Sequence, residues 1–207
     1  MNITVLAKAV GCIEETMREN KSYLIELDQK YGDGDLGLSM ADGFHGLVNY
    51  LVSCPEQDLG RAMMLCSTAF NEAAPSSLGT IISLFLMGMA KELKGKSEAN
   101  LSDIAAAMES GVNKIMEKAK SKPGEKTILD ALCPAVDALK VHVAEGWEAA
   151  FQAAAEAAST GSESTRQMCA MHGRAAYYGE QSIGTIDGGS VVGSLIFSSL
   201  NQYIKNC

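Results

Sequence analysis

Residues 27–40 read Leu27-Asp28-Gln29-Lys30-Tyr31-Gly32-Asp33-Gly34-Asp35-Leu36-Gly37-Leu38-Ser39-Met40. The carboxylates of Asp28, Asp33 and Asp35 fall within eight residues and alternate with glycines, which accept the backbone angles of a tight loop. Such a loop brings the three carboxylates towards one point, where their repulsion favours a bound cation. Oxygen-only ligands suit a hard cation such as Mg²⁺ or Ca²⁺. The backbone amides that follow, at the start of an expected helix, offer a place for a phosphate group.

The acidic stretch has two rival interpretations. Asp-Gly pairs also mark ordinary solvated surface turns. A calcium-binding EF-hand needs an oxygen ligand at the fifth loop position and a closing Glu at the twelfth. Counted from Asp33, these positions hold Gly37 and Phe44, and counted from Asp28 the fifth holds Gly32, so the EF-hand pattern is absent. Apolar helical segments on both sides of the loop favour a built site over a surface turn.

The composition narrows the class of protein. A chain of 207 residues suits one domain or at most two small ones, and 47% hydrophobic residues can bury a substantial core. The net charge of −8 argues against a nucleic-acid partner, because phosphate backbones attract Lys and Arg. The six cysteines form no Cys-x-x-Cys pair and are interpreted as free, mostly buried thiols of a reducing cytoplasm. No signal-peptide pattern is present, and the longest apolar run, 81–90, is too short to span a membrane.

Helical spacing of apolar residues recurs along the chain, and no alternating run of strand length is present. The pattern predicts about eight helices with short joints. Ser102 is the expected cap of a helix that carries Ile104 and Met108. An Ala-rich helix is expected from Trp147 to about 159, with an interruption over 160–164 and helical spacing that resumes at 168–171. The last helix is expected from 191 to about 203.

The stretches that suggest chemistry all lie at predicted joints between helices: residues 28–39, 75–79, 124–127 and 173–189. In an up-and-down helical array, alternate joints lie at the same end. Four such joints gathered at one end predict a single ligand pocket there. The last of the four is the longest stretch without clear periodicity, and a long loop in a compact domain is more often functional than idle.

These stretches resemble the L subunit of dihydroxyacetone kinase, the nucleotide-binding subunit of that kinase. The resemblance rests on four blocks, which occur in the family's order and span essentially the whole chain. It therefore implies one nucleotide-binding domain over residues 1–207. The blocks are Asp28 with Gly32-Asp33-Gly34-Asp35-x-Gly37-x-x-Met40-x-x-Gly43, Pro75-Ser76-Ser77, Pro123-Gly124-Glu125-Lys126-Thr127-x-x-Asp130-Ala131-Leu132-x-Pro134, and Gly173-Arg174-Ala175-x-Tyr177-x-Gly179-Glu180-x-Ser182-x-Gly184.

The resemblance implies an all-α, single-domain barrel of about eight antiparallel up-and-down helices with the nucleotide site at one end. It implies ADP or ATP as the cofactor and two Mg²⁺ ions held by Asp28, Asp33 and Asp35. Arg174 is expected to be catalytic, by steadying the transferring phosphoryl group. Phosphoryl transfer depends on charge neutralisation and alignment, which paired metal ions supply. The residues expected to bind the nucleotide are Leu36, Gly37, Leu38, Ser39, Ser76, Ser77, Gly124, Thr127, Arg174, Asp187, Gly188 and Gly189.

The chain departs from the family's usual pattern at four positions near these blocks. The family usually has His where Leu36 stands and Asn where Ser39 stands. It usually has Pro in place of Gly188, and a frequent Arg in place of Gln181. The three carboxylates and Arg174 are retained. The departures bear on the rate, the phosphoryl donor and the acceptor, which is expected to be dihydroxyacetone or a related ketose or polyol.

For function, the resemblance implies a cytoplasmic phosphotransferase subunit of glycerol metabolism. Its expected partners are a K subunit that holds the substrate and a phosphohistidine carrier of the sugar phosphotransferase system that recharges bound ADP. The carrier is favoured over free ATP because the chain stands alone at 207 residues, as in the branch of the family that uses it. An ATP-dependent kinase subunit and a non-catalytic nucleotide-binding regulatory module are the alternatives. Neither nucleic acid nor membrane is expected as a partner, and a homodimer is left open.

Overall fold

The computed structural model describes residues 1–206 and is all-α. Cys207, one of the six cysteines, lies outside the described residues. The helices within 1–206 are α1 (Ile3–Glu19), α2 (Lys21–Asp28), α3 (Leu36–Val52), α4 (Leu59–Ala73), α5 (Ser77–Leu93), α6 (Leu101–Ala119), α7 (Leu129–Val141), α8 (Trp147–Ser164) and α9 (Gly188–Lys205). Three short 3-10 segments accompany them, at Val143–Glu145, Thr165–Gln167 and Arg174–Ser182.

The packing order of the helices closes on itself. Helix α1 packs on α3, each helix from α3 to α8 packs on the next, and α9 packs back on α1. Helix α2 lies mainly against α3, with lighter contacts to α9 and α1. The apolar faces of these helices form one continuous hydrophobic cluster, in which Met17, Leu24, Phe70 and Phe197 are almost completely buried. The ends of α2, α4, α6 and α8 meet the starts of α3, α5, α7 and α9 at one end of the array, where the first three pairs are joined by short loops and the last by the longer segment 165–187.

Close helix contacts explain why small residues are so frequent. A Cβ atom added to Gly88 of α5 would lie 2.6 Å from the Cα atom of Gly111 in α6. A Cβ atom added to Gly161 of α8 would lie 2.0 Å from the carbonyl oxygen of Asp130 in α7. Pro134 lies inside α7, where its ring removes the hydrogen bond that would use this carbonyl. Helix α8 therefore approaches α7 at a point where the backbone is already irregular.

Three sequence expectations about helix ends were wrong. The cap of α6 is Asn100 and not Ser102, because Asn100 and Asp103 form a reciprocal capping box. Helix α8 continues through 160–164, where glycine allows the close approach to α7, and no helix resumes over 168–171. Helix α9 begins at Gly188, three residues earlier than expected, because Asp187 caps it.

None of the five described cysteines forms a disulfide, in agreement with the prediction of thiols, but only Cys66 is buried. Burial raises the pKa of the Cys66 thiol to about 12. Among the helices of residues 1–206, none is both long enough and apolar enough to cross a lipid bilayer.

Candidate functional site

The joints α2–α3, α4–α5, α6–α7 and α8–α9 surround a cavity of about 830 Å³. Its lining brings together residues from all four stretches that the sequence singled out. The predicted site residues that line it are Asp28, Asp33, Asp35, Leu36, Ser76, Ser77, Thr127, Arg174, Asp187, Gly188 and Gly189.

The three carboxylates of the acidic loop converge as the sequence predicted. One carboxylate oxygen from each of Asp28, Asp33 and Asp35 lies within 4.8 Å of the others. The loop is held by Asp28, whose Oδ2 accepts hydrogen bonds from the backbone amides of Gly34 (2.8 Å) and Asp35 (3.1 Å). Gly34 has a φ angle of 77°, a conformation that glycine adopts without strain. The turn therefore needs both the carboxylate at 28 and the glycine at 34.

The electrostatics of this carboxylate cluster favour a cation. Partial burial, followed by the charges of Asp33 and Asp28, raises the pKa of Asp35 above its ordinary value. A guanidinium nitrogen of Arg174 lies 2.5 Å from Asp33 Oδ2 and offsets part of the negative charge. The remaining donor set consists only of oxygen atoms, which fits a hard divalent cation such as Mg²⁺.

Helices α3 and α5 both begin at the cavity, and α3 begins directly beside the carboxylates. Helix α3 starts at Leu36, directly after Asp35, and its first-turn amides lack intrahelical partners. Helix α5 starts at Ser77, and Ser76 caps it by accepting a hydrogen bond from the amide of Gly79 at 3.1 Å. Helix N-termini carry partial positive charge and free N–H groups, which suit phosphate oxygens.

The α6–α7 joint is held by two side chains that bond to backbone. Asp130 is buried and accepts from the amides of Gly124 (2.5 Å) and Thr127 (2.7 Å). Lys126 is 4% exposed, and its Nζ donates to the carbonyl oxygen of Thr165 at 2.6 Å and to that of Thr185. Burial lowers the pKa of Lys126. Lys126 thus ties the α6–α7 joint to both ends of the segment that joins α8 to α9. Sequence reasoning missed this role, although the residue stands in one of the quoted blocks.

The start of α9 also lines the cavity, next to the α6–α7 joint. Asp187 caps α9 through a hydrogen bond of 2.6 Å from the Ser190 amide to its Oδ2. Burial raises the pKa of Asp187 to about 7, against the opposing influence of the Ser190 amide and of the Lys126 charge. Gly188 leaves little room for a side chain, because an added Cβ would lie 2.6 Å from Leu36 Cδ2.

Arg174 lies on the segment between α8 and α9, and this segment is ordered by polar contacts. Ser182 is fully buried; its Oγ accepts from the Ala170 amide at 2.9 Å and donates to the Gly179 carbonyl at 2.6 Å. The hydroxyl of Tyr31 donates to the carbonyl oxygen of Gln181. Sequence reasoning did not assign Tyr31 a role, since a tyrosine in an acidic loop carries no signal of a partner so distant in sequence.

His172 also lines the cavity and was likewise not predicted. Its Nε2 lies 2.6 Å from Glu125 Oε2, which joins the α6–α7 joint to the stretch before Arg174. The hydrogen bond with His172, and then that from the Lys122 amide, hold the pKa of Glu125 below its ordinary value. Its neighbours in the chain give this histidine no motif by which it could have been found.

Four predicted residues do not line the cavity. Gly37 is buried in α3 against the Lys21 carbonyl, Leu38 is 44% exposed, Ser39 lies one position further along α3, and Gly124 is exposed in its turn. Their roles in nucleotide binding therefore stay predictions, and for Gly124 the observed role is the amide that it donates to Asp130.

The part of the cavity formed by α5, α6 and α7 is largely apolar. We call its apolar side chains the apolar wall. The polar residues beside it are Ser77 and Thr80 of α5 and Ser121, which follows α6. In the closed packing order, α5 and α6 stand across from α9 and α1, away from the carboxylates of the α2–α3 loop. The cavity thus has a charged side and an apolar side. The apolar wall consists of Leu78, Ile81, Ile115, Ala119 and Leu129.

Comparison with known protein families gives a match to the family described as "DAK2 domain", over residues 30–202. "PEP-dependent dihydroxyacetone kinase, ADP-binding subunit DhaL" from Escherichia coli is 29% identical over 170 residues, 81% of each chain. A Listeria innocua protein, "PEP-dependent dihydroxyacetone kinase 1, ADP-binding subunit DhaL", is 29% identical over 188 residues, 91% of this chain and 90% of its own. "D-erythrulose kinase" from Mycolicibacterium smegmatis is 27% identical over 190 residues, 90% of this chain and 33% of its own.

Two solved structures share the fold. The native dihydroxyacetone kinase of C. freundii matches with a TM-score of 0.77 at 24% identity, over 98% of this chain and 34% of that chain. The same kinase in complex with AMP-PNP and Mg²⁺ matches with a TM-score of 0.75. This chain thus spans about a third of the length of the solved kinase.

Proposed function

Because the chain belongs to the DAK2 domain family, we propose that it is the nucleotide-binding subunit of a dihydroxyacetone-type kinase. In this proposal it carries ADP or ATP on Mg²⁺ and passes a phosphoryl group to a ketose or polyol held by a separate K subunit. The observation that carries the proposal is the carboxylate cluster of Asp28, Asp33 and Asp35, which faces one cavity together with the starts of α3, α5, α7 and α9. The names of the relatives from E. coli and L. innocua as ADP-binding subunits support it.

We assign separate roles in metal and phosphate binding to the residues of the cavity. Asp28, Asp33 and Asp35 would hold the cation, and we propose two Mg²⁺ ions. A bound Mg²⁺ supplies the positive charge that neutralises and aligns phosphate groups. The amides at the starts of α3 and α5, with Ser76 and Ser77, would contact phosphate oxygens. We propose that Arg174 contacts the phosphoryl group during transfer, a role that its ion pair with Asp33 supports.

The same comparisons support proposals for the donor and the acceptor. Both ADP-binding relatives are named as PEP-dependent, which supports a phosphohistidine carrier that recharges ADP while it stays bound. An ATP-dependent subunit is the second candidate, favoured by the shared fold with the kinase solved with AMP-PNP and Mg²⁺. The relative named D-erythrulose kinase supports a four-carbon ketose as an alternative acceptor.

We also propose that residues 1–207 form one nucleotide-binding domain. The continuous hydrophobic cluster draws on all nine helices, and no part of the described chain has a core of its own. A chain so arranged would unfold in one cooperative step, which coincident urea transitions by circular dichroism and tryptophan fluorescence would establish.

The first experiment uses the protein as purified, without added nucleotide. The protein is denatured, any released nucleotide is identified by chromatography, and Mg²⁺ is assayed on the same sample. About one ADP per chain supports the coenzyme form, in which the next step is to find the phosphohistidine donor. A protein that is empty but binds ATP with Mg²⁺ supports the exchanging kinase. Absence of any Mg²⁺-dependent nucleotide binding would overturn the proposal.

A matched pair of variants tests the carboxylate cluster. Asp33→Asn removes a charge at the cavity, and Asp42→Asn removes an exposed carboxylate from α3 outside the cavity. In calorimetric titrations with ADP and Mg²⁺, we expect Asp33→Asn to weaken binding by about tenfold or more, and Asp42→Asn to bind as wild type. Without Mg²⁺ the three proteins should bind ADP equally weakly.

The regulatory alternative predicts nucleotide binding without phosphoryl transfer. It is motivated by the departures at Leu36, Ser39 and Gln181. Supply of a K-type subunit, dihydroxyacetone or erythrulose, and a charged donor separates the two functions. Formation of the phosphorylated ketose excludes the regulatory module.

A further inference from the structure

The hydroxyl oxygen of Ser121 has no hydrogen-bond partner within residues 1–206, although the residue is only 8% exposed. Ser121 follows Lys120, whose left-handed backbone (φ 54°) turns the chain at the end of α6. It lines the cavity beside Ile115 and Ala119. A buried hydroxyl without a partner costs stability, and such groups are rare in native proteins. An unpaired hydroxyl at a cavity wall therefore points to a partner supplied by a ligand.

The surroundings of Ser121 suit one part of a nucleotide. The apolar wall offers aliphatic side chains from α5, α6 and α7. Ser121 adjoins those of α6, and the other polar side chains beside this wall, Ser77 and Thr80, lie on α5. Ligand cavities typically combine apolar walls with a few polar groups that fix orientation. Since the carboxylate cluster lies on the other side of the cavity, phosphates would lie there and the flat base would lie against the apolar wall.

We propose that Ser121 is a specificity-determining residue that hydrogen-bonds the adenine base of the bound nucleotide, an inference that rests on the proposed function. The hydroxyl oxygen is closed off from solvent in the structure. The proposal therefore includes a rotation about the Cα–Cβ bond to another staggered position, which turns the oxygen towards the bound base. There the oxygen accepts a hydrogen bond from the 6-amino group of adenine. A hydroxyl both donates and accepts, so the residue selects against a base that lacks a polar group at this position.

The test is a cycle that removes each partner of this hydrogen bond in turn. ADP and purine riboside 5′-diphosphate, which lacks the 6-amino group, are titrated with Mg²⁺ into wild type and Ser121→Ala. Wild type should bind the analogue about threefold to tenfold more weakly than ADP. Ser121→Ala should bind ADP more weakly by a similar factor and should no longer distinguish the two ligands.

Ser83→Ala is the matched control. Ser83 is 6% exposed and its hydroxyl oxygen likewise lacks a partner within the described chain, but it lies inside α5 and does not line the cavity. This variant should keep the wild-type preference for ADP over the analogue. Ser121→Cys, which is nearly isosteric and a poor hydrogen-bond partner, serves as a second test if the alanine variant does not fold. It too should lose the preference.

The outcomes separate the two levels of inference. If wild type binds ADP with Mg²⁺ and Ser121→Ala or Ser121→Cys keeps the full preference for ADP over the analogue, the role of Ser121 is overturned and the proposed function stands. If wild type binds neither ligand, the proposed function fails and the role of Ser121 fails with it. Loss of the preference in the Ser121 variants but not in Ser83→Ala supports the proposal.

Discussion

The hydroxyl of Tyr31 donates a hydrogen bond of 2.6 Å to the backbone carbonyl oxygen of Gln181, 150 positions away in the sequence. The Tyr31 ring also contacts that of Tyr178, with ring centroids 4.9 Å apart. Two residues further along the same loop, Asp33 forms the ion pair with Arg174. The acidic loop is therefore connected at two points to the segment that carries Arg174, and the distance between the carboxylate cluster and the guanidinium depends on both.

Tyr31→Phe tests this connection because it removes the hydroxyl and keeps the ring. We expect the free energy of unfolding to fall by about 1 kcal/mol, the usual net value of one hydrogen bond. We also expect affinity for ADP with Mg²⁺ to fall about twofold to tenfold, because Arg174 loses part of its support. Tyr23→Phe on α2, where the tyrosine is 44% exposed, is the control and should behave as wild type. An unchanged affinity in Tyr31→Phe would show that the ion pair alone positions the segment.

The raised pKa of Asp187 predicts how the free energy of unfolding changes with pH. Burial raises its pKa in the folded protein to about 7 from an ordinary value of 3.8, so the folded state binds this proton more tightly than the unfolded chain. The resulting stability is fully present below pH 3.8 and is lost as the pH rises through about 7. A shift of about three pKa units corresponds to at most about 4 kcal/mol.

Asp187→Asn removes the charge and keeps a good helix cap. We therefore expect its free energy of unfolding, relative to wild type, to increase between pH 4.5 and pH 7.5, as measured by urea titration at both values. Asp103→Asn is the control, because the pKa of Asp103 is shifted in the opposite direction. The backbone hydrogen bond from Asn100 lowers the pKa of Asp103, so its contribution is lost only as the pH falls. A relative stability of Asp187→Asn that does not change between the two pH values would contradict the interpretation that burial raises the pKa of Asp187.

Gly161 and Gly11 form a contrasting pair inside helices. A Cβ at Gly161 would lie 2.0 Å from a backbone oxygen of α7, whereas a Cβ at Gly11 of α1 meets nothing within 4 Å. Gly161→Ala should destabilise the protein by about 1–3 kcal/mol, because helices α7 and α8 must move apart. Gly11→Ala should stabilise it by about 0.5–1 kcal/mol through helix propensity. Urea unfolding of the two variants measures both effects, and equal signs would refute the packing argument.

Much of this architecture could be predicted from local sequence. The periodic apolar residues indicated the helices, and the glycines around Asp33 indicated a tight acidic loop. The grouping of four joints at one end followed from the up-and-down order of helices. These predictions depend on the spacing of residues close together in the chain and on the order of the helices. Both can be read from the sequence without knowledge of the fold.

The features that could not be predicted depend on residues far apart in the sequence. The continuation of α8 through Gly161 depends on the close approach of α7, which overrides the weak helix propensity of the stretch 160–164. The role of Lys126 depends on carbonyl groups of Thr165 and Thr185, which no spacing in the sequence reveals. A lysine at a joint is ordinarily a solvated charge, and only the fold shows that this one is buried.

Leu36 lies against Gly188 in the lining of the cavity. The chain departs from the L-subunit pattern at both positions. A Cβ at Gly188 would lie 2.6 Å from Leu36 Cδ2, and Leu36 is 8% exposed. Gly188→Ala alone should therefore push the leucine side chain towards the cavity, with a loss of about 1 kcal/mol in stability and a weaker affinity for ADP with Mg²⁺. In a Leu36→Ala background the same change should be neutral or stabilising, because alanine is favoured over glycine in a helix.

The double-mutant cycle over these two positions isolates their interaction. Urea unfolding and ADP titration of wild type, both single variants and Leu36→Ala/Gly188→Ala should give a coupling energy of about 0.5–3 kcal/mol. The sign of the coupling energy is decisive. If the leucine occupies the space beside Gly188, the double variant is more stable than the sum of the two single effects predicts. Strict additivity would mean that the leucine side chain moves aside at no cost, and the two departures from the family pattern would then be independent of each other.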